Sequence, residues 1–350
     1  WYCGCNTGAA SRRERLAGYL DSLQDEIALV SRQLDNRVQV RRVAFGGGSP
    51  NAISPTEFVR LVTELTDHGA LADPVWSIEL DPRSLNEDWR RAIEGVGIDR
   101  ASLGVQTFSP HLQAAIGRIQ PDADIARATD LLREAGVDSL NFDLMYGLPG
   151  QSLAALEATL DRAVARGPDR IALFGYAHVP HMIPRQKRID ASHLPSQHER
   201  FAMAWLGYSL LTGAGYVPVG FDHFALPGDP LGRAAEAGRL HRNFQGFTDD
   251  PCPVLIGLGA SAISSFPGLL AQNEKNAGRY RMLLSQDRLP AALGVARSPQ
   301  DQLLGELIEQ LLCQGQARIG RELSRDMQPV LSPFANCGLI ASDGDILRIL

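Results

Sequence analysis

The chain has 350 residues, a formal net charge of -6 and a pI near 5.8; this acidic balance offers no basic stripe to nucleic-acid phosphates or anionic lipid. Its composition, 44% hydrophobic and 21% charged, is that of an ordinary globular protein, and no run approaches the ~20 apolar residues that cross a bilayer. Neither a nucleic-acid nor a membrane partner is therefore expected, and the length suits one barrel of roughly 200 to 250 residues with a smaller appendage.

From Ser11 to Gln33, Leu16, Tyr19, Leu20, Leu23, Ile27 and Val30 recur with helical spacing, which predicts a first amphipathic helix. A β-prone run, Val40 to Phe45, ends in Gly46-Gly47-Gly48-Ser49-Pro50, and Ser54-Pro55-Thr56-Glu57 is a capping box with proline at the first helical position. Strand, glycine loop and helix are thus expected in that order. The unit repeats. Val75 to Leu80 reads as a strand, Asn86 caps a helix stopping at Gly95, and Ala101 to Val105 is the next strand. A helix ending at Gly136 leads to a strand at Leu140 to Tyr146, Ser152 opens a helix stopping at Gly167, and Arg170 to Ala177 is a further strand. Helix Gln197 to Leu211, capped by Ser196 and Glu199, precedes the strand-like Val217 to Phe221. Alternation at this pitch implies parallel strands joined by crossovers, and hence an α/β fold, a partial (β/α)6 TIM-like barrel.

Beyond that point the pattern loosens. Arg233 to Gly268 is glycine-rich and suits a cover over a cavity better than a sheet; Ser298 to Leu350 reads as helical with a β wing turned at Asp343-Gly344. The expected division is 1–220 for the barrel, 221–295 for a loop-rich covering segment and 296–350 for a mostly helical, winged-helix-like C-terminal domain.

Catalytic groups in a β/α barrel stand at the C-terminal ends of the strands. Those ends carry Gly46 to Ser49, Glu79, Gln106, Asp143 and Ala177-His178. A glycine triplet after a strand exposes peptide N–H groups to an anion, although tight turns produce such triplets too and this one lacks the lysine of a P-loop. Asp143 interrupts an apolar strand, where an unpaired charge costs several kcal/mol. Cys3 and Cys5, one residue apart, are too close to staple a fold, so thiol or metal chemistry in a reducing cytoplasm fits them better. No charged-then-apolar leader precedes the first helix, in keeping with a cytoplasmic location.

The opening Trp1-Tyr2-Cys3-Gly4-Cys5-Asn6-Thr7 resembles the end of the C-x3-C-x2-C-x-C motif of oxygen-independent coproporphyrinogen III dehydrogenases, members of the radical S-adenosylmethionine superfamily. The resemblance continues in order through GGGSPN (46–51), SIELDPR (77–83), GVQTF (104–108), NFDLMYGLP (141–149), FGYAHVP (174–180), DHFA (222–225), HRNFQGFT (241–248) and GLGASAIS (257–264). Two further motif cysteines are expected just before Trp1, so the sequence as it stands supplies one of three iron ligands, Cys3, and is expected to be inactive alone.

The resemblance implies a [4Fe–4S] cluster that leaves one iron open to S-adenosylmethionine. It also implies cleavage to a 5′-deoxyadenosyl radical and oxidative decarboxylation of two propionates of coproporphyrinogen III to vinyl groups, giving protoporphyrinogen IX. Two S-adenosylmethionine molecules are implied: Gly47, Glu79 and Ile263 match contacts of the first, and Tyr2, Gly48, Ser49, Gln106, Arg118, Asp143 and Ala177 match contacts of the second. The chemistry agrees, since Glu79 or Asp143 can accept from a ribose hydroxyl or an ammonium and Arg118 can pair with a carboxylate. Arg118 on a solvated face and Gln106 as a strand cap are the bland alternatives, and Ile263 and Ala177 rest on the resemblance alone.

Cys5 is read either as facing substrate or second cofactor, in a catalytic role, or as packing; Cys252, Cys313 and Cys337 read as core thiols. His178 and His181 have metal-ligand spacing without further partners and read as structural. His223 and the group His241, Arg242 and Asn243 suit a tetracarboxylate substrate, with His241 and Arg242 assigned to the catalytic set. A monomer served by a small electron donor such as a flavodoxin or ferredoxin is expected. The rival function is a haem-binding chaperone of the same fold; such relatives carry an acidic and an aromatic residue after the third cluster cysteine and lack the HRNFQG segment.

Overall fold

The computed structural model describes residues 1–4, 13–34 and 38–350, so Cys5 lies outside the described residues. Helix α1 (Arg13–Leu34) buries Leu20, Ile27 and Leu29. There follow β1 (Val40–Phe45), α2 (Pro55–His68), β2 (Leu71–Leu80), α3 (Glu87–Val96), β3 (Arg100–Gln106), α4 (Pro110–Ala115), α5 (Asp122–Glu134), β4 (Ser139–Tyr146), α6 (Leu153–Ala165) and β5 (Arg170–Gly175). Capping side chains set the helix starts: Ser54 and Glu57 form the reciprocal box, Asn86 accepts from the Trp89 N–H, and Ser152 from the Ala155 N–H. Helix α3 runs through Gly95 and stops at Gly97, whose φ of 75° is the left-handed cap; a glycine inside a helix weakens it, whereas one in this conformation ends it.

Strands β1 to β5 pair in parallel and in sequence order. Their outward side chains, among them Leu103, Leu140, Phe142 and Ile171, pack with Ile93, Ile125 and Leu156 of the covering helices into one core. The expected sixth parallel strand is different. After α7 (Gln197–Gly213), β6 (Val217–Val219) turns at Gly220 into β7 (His223–Ala225), and β7 lies antiparallel between β5 and β6. A left-handed glycine at 220 reverses the chain within three residues, too few for a crossover.

The stretch expected to be loops also forms sheet. After α8 (Pro230–Glu236), β8 (His241–Asn243) and β9 (Gly246–Thr248) make a hairpin. Next come β10 (Ile263–Phe266), β11 (Leu269–Asn273), α9 (Ala277–Leu284) and β12 (Ala291–Ala296), the three strands pairing antiparallel. β12 is exposed along its whole length, so the apolar alternation that marks a half-buried strand is missing from its sequence. The chain closes with α10 (Pro299–Gln314), β13 (Gln316–Arg318), α11 (Arg321–Asn336), β14 (Ile340–Asp343) and β15 (Ile346–Ile349) around a core of its own, Leu307, Ala317, Ile319 and Leu347. Among the described residues no helix is long and apolar enough to cross a membrane.

One buried carboxylate fastens the β10–β12 sheet to the barrel. Glu26 of α1 is almost fully buried and accepts from the Gly259 N–H (2.6 Å), Asn273 Nδ2 (2.6 Å) and the Tyr280 hydroxyl (2.6 Å). Burial pushes its carboxyl above the usual range, and the three donors pull it back. Glu26→Leu strands all three donors and should lower unfolding free energy by about 3 kcal/mol or more; Glu26→Gln, which keeps an acceptor oxygen, should lose less. Urea denaturation of the two variants checks the order.

Candidate active site

The parallel register brings the ends of β1 to β5 to one rim, and the residues there form a lined mouth. A Cβ on Gly46 would stand 2.8 Å from Glu79 Oε1, so the bare glycine lets the Glu79 carboxylate lie against the loop. The Gly47 N–H reaches Glu79 Oε2 at 3.3 Å, so the loop donates toward the mouth. Behind it Asn51 is buried and pairs with Asp81 in both senses, its Nδ2 donating to the Asp81 carbonyl (2.7 Å) and its Oδ1 accepting from the Asp81 N–H (3.0 Å). That exchange extends the β1–β2 pairing beyond the strands and fixes where Gly47, Gly48 and Ser49 lie.

Asp143 faces the barrel interior from β4. Ser102 Oγ donates to its Oδ2 at 3.0 Å and Asn141 Nδ2 to its Oδ1 at 2.8 Å. Burial raises its pKa, and these bonds with His223 and Arg170 oppose the shift. Glu79 touches solvent yet is surrounded by protein on most sides; burial first, and the Asp143 charge second, push it up to about 7 against the pull of the Gly47 N–H. Two carboxylates of this kind favour a cation between them.

Arg118 spans from the Gly104 carbonyl (3.0 Å) to Gln120 (3.2 Å) and Asp81 (3.4 Å), so it is held at the rim and is not on a solvated face. Burial raises Asp81, but Arg83 and Arg118 outweigh it and hold the carboxyl below its usual range. Gln106 ends β3 buried, with φ at 65°, a conformation non-glycine residues seldom take. Tyr2 packs among Leu112, Met145 and Tyr176, and burial raises its phenol.

The start of the chain is pinned here. The Trp1 backbone nitrogen donates to the Ile116 carbonyl at 2.9 Å, and the buried Gln186 donates to the carbonyls of Tyr2 (2.8 Å) and Ala177 (3.0 Å) while accepting from the Val179 N–H (2.6 Å). Cys3 therefore stands at the mouth; it is disulfide-bonded in this form. Cys252 and Cys337, in the loop after β9 and at the end of α11, are exposed, and Cys313 on α10 is half-buried, so none of the three is the core thiol expected from the sequence. The sequence reading passed over Asn51, Asp81, Arg83 and Gln186. The first three lie inside motifs it quoted, whereas nothing local marks Gln186.

Tyr2, Glu79, Gln106, Arg118 and Asp143, with the Gly47 to Ser49 loop and Ala177, are thus gathered at one rim. Ile263 lies on β10, in the sheet that Glu26 ties to α1. The residues of β8 divide by strand alternation: His241 Nδ1 bonds Glu309 of α10 at 3.0 Å, whereas Arg242 lines a cavity with Asp222, His223, Phe174 and Phe247.

Residues 1–163 match the model of the radical SAM superfamily. The oxygen-independent coproporphyrinogen III oxidase of Bradyrhizobium diazoefficiens is 39% identical over 359 residues, across 100% of this chain and 80% of that protein. The chain belongs to this family. The enzyme of the same name from Escherichia coli is 32% identical over 98% of the chain and 77% of its own length. The solved structure of coproporphyrinogen III oxidase from Escherichia coli, described as a radical SAM enzyme, superposes with a TM-score of 0.91 at 31% identity, covering 99% of this chain and 82% of that one. Membership implies an iron–sulfur cluster of the [4Fe–4S] type and S-adenosylmethionine. The mouth fits that pair in kind: a cysteine, donor amides and two carboxylates suited to a cationic sulfonium and ammonium.

The raised Glu79 pKa has a thermodynamic consequence. The unfolded chain ionises this carboxyl near its ordinary value and the folded protein only near 7, so ionisation costs the fold stability progressively as pH rises between those values. In the ligand-free protein Glu79→Gln should melt above wild type at pH 8 and level with it at pH 4. Thermal melts at the two pH values read this directly.

Proposed function

We propose that this protein decarboxylates two propionate side chains of coproporphyrinogen III to vinyl groups, giving protoporphyrinogen IX. The observation that carries the reading is the mouth itself, where Glu79 and Asp143 face one space beside donor amides and the Tyr2–Cys3 segment. The relatives' shared name supplies the substrate class. A cluster held through Cys3 would supply, with S-adenosylmethionine, a 5′-deoxyadenosyl radical to take a hydrogen from the propionate; loss of the carboxylate as CO2 would then leave the vinyl group and release one electron, which an electron acceptor must take up.

The chain's own residues bind and orient. Cys3, once its disulfide is reduced, offers a thiolate to iron. Gly47, Glu79 and Ile263 contact one S-adenosylmethionine; Tyr2, Gly48, Ser49, Gln106, Arg118, Asp143 and Ala177 contact a second. Glu79 accepts from a hydroxyl or ammonium, and Arg118, already aligned on Gly104 and Gln120, takes a carboxylate. Cys5 is assigned a catalytic role at the substrate or the second cofactor, and Arg242 serves the substrate from the β8–β9 hairpin, whereas His241, expected beside it in the catalytic set, is engaged by Glu309 instead. The protein works as a cytoplasmic monomer with a small ferredoxin- or flavodoxin-like donor.

The test is anaerobic. Full-length protein reconstituted with iron and sulfide, reduced and given S-adenosylmethionine and coproporphyrinogen III, should release CO2 and 5′-deoxyadenosine in step. Bound cluster with haem uptake and no CO2 would move the assignment to a haem chaperone. In the same assay Glu79→Gln should raise the KM for S-adenosylmethionine roughly 10- to 100-fold, the loss of a hydrogen bond to a charged group; an unchanged KM removes Glu79 from the cofactor site.

A further inference from the structure

Between the end of β5, the turn after β6 and the β8–β9 hairpin lies a cavity of about 210 Å³ lined by Phe174, Asp222, His223, Arg242, Phe244 and Phe247, with Gln245 and Gly246 at its edge. Its wall is a chain of interlocked rings. His223 stands edge-on between Phe174 (5.4 Å, 83°) and Phe247 (5.4 Å, 79°), and Phe247 meets Phe221 at 5.6 Å and 74°. The Phe247 ring is seated against Gly220, where any Cβ would collide with it, so the left-handed glycine that turns β6 into β7 also fixes this ring. Arg242 lies over both phenyl faces, 5.8 Å from Phe221 and 5.6 Å from Phe247. Held by its faces, the guanidinium keeps its hydrogen-bonding edge free, and no carboxylate among the described residues pairs with it. Asp222 Oδ1 holds His223 through Nδ1 at 2.6 Å. That leaves Nε2 toward the hairpin, 3.8 Å from where a Cβ on Gly246 would sit. Aromatic surface is left open at the rim, since Phe221 is 61% and Phe244 52% exposed.

Apolar rings beside a guanidinium with a free edge and an imidazole nitrogen are complementary to a small aromatic ring bearing a carboxylate. The volume lies below the ~300 Å³ at which pockets begin to enclose drug-sized ligands. A whole tetrapyrrole does not fit; one pyrrole with its propionate does. We infer that this cavity anchors a single pyrrole–propionate arm of the substrate, the phenyl rings covering the pyrrole and Arg242 with His223 taking the carboxylate. The ligand's identity rests on the proposed decarboxylation; the cavity's preference for an aromatic carboxylate rests on its own geometry.

Binding can be read without cluster or turnover by titrating coproporphyrin III, the stable oxidised form of the substrate, into the full chain and following its fluorescence. Arg242→Leu should weaken binding at least tenfold and flatten its salt dependence, Arg242→Lys should fall between, and Phe247→Leu should weaken it several-fold. Trp205→Ala, which removes an exposed aromatic of α7 away from the cavity, should bind as wild type. Melting curves identify any variant that fails to fold, and Arg242→Lys then carries the test. Binding within twofold of wild type in both Arg242 variants, or an equal loss in Trp205→Ala, overturns the inference. Protein that binds in the expected pattern yet releases no CO2 sinks the decarboxylase reading and leaves the pocket standing. CO2 release with undiminished binding in the Arg242 variants does the reverse.

Discussion

Asp143 imposes the constraint around which the rest of the mouth is arranged. A carboxylate facing the inside of a barrel must be hydrogen-bonded or neutral, and Ser102 and Asn141, on the neighbouring strand and two residues back on its own, supply the bonds. Both donors exist because β3 and β4 run in a register that sets Ser102 beside Asn141 and Gly104 beside Asp143. Burial raises Glu79 on β2, the Asp143 charge adds to that shift, and the two acidic groups together suit a cation. Two carboxylates so placed suit a cofactor that carries a sulfonium and an ammonium.

The opposite end of the barrel is closed by charge as well. Asp249, in the loop after β9, takes a bidentate bond from Arg100 of β3 (2.9 and 3.1 Å) and a third from Arg42 of β1 (2.8 Å). Burial opposes ionisation there, but the two guanidinium groups outweigh it and hold the carboxyl well below the usual range. The segment carrying the β8–β9 hairpin is therefore tied down at its far end, which steadies the hairpin where Phe247 and Arg242 meet β7. Glu26 does the corresponding work for the β10–β12 sheet. Two segments without much apolar core of their own are thus positioned by carboxylates, the buried Glu26 for one and the half-buried Asp249, with Asp250 also on Arg42 at 3.3 Å, for the other.

Much of this was legible in the sequence. Capping boxes at Ser54 and Ser196, the asparagine cap at Asn86 and strand-like runs at Val40 to Phe45 and Leu140 to Tyr146 act over a few residues, and the structure keeps them. The polar strand ends, Glu79, Gln106 and Asp143, stood out because a β/α barrel places its chemistry there. Other features failed to show because their causes are not local. Gln186 is separated from Tyr2 by 184 positions, and Glu26 from Tyr280 by 254. No periodicity marks a helix glutamate as buried.

The sequence by itself determined strands β1 to β5, most of the helices between them, their order and the family, because capping, alternation and motif spacing are properties of neighbouring residues. Only the tertiary structure decided that β7 enters antiparallel, that 263–296 forms a sheet, and that His241 turns to Glu309 while Arg242 turns to the cavity. Those outcomes depend on which distant groups share a buried space, and burial makes each unpaired polar atom costly enough to choose its partner.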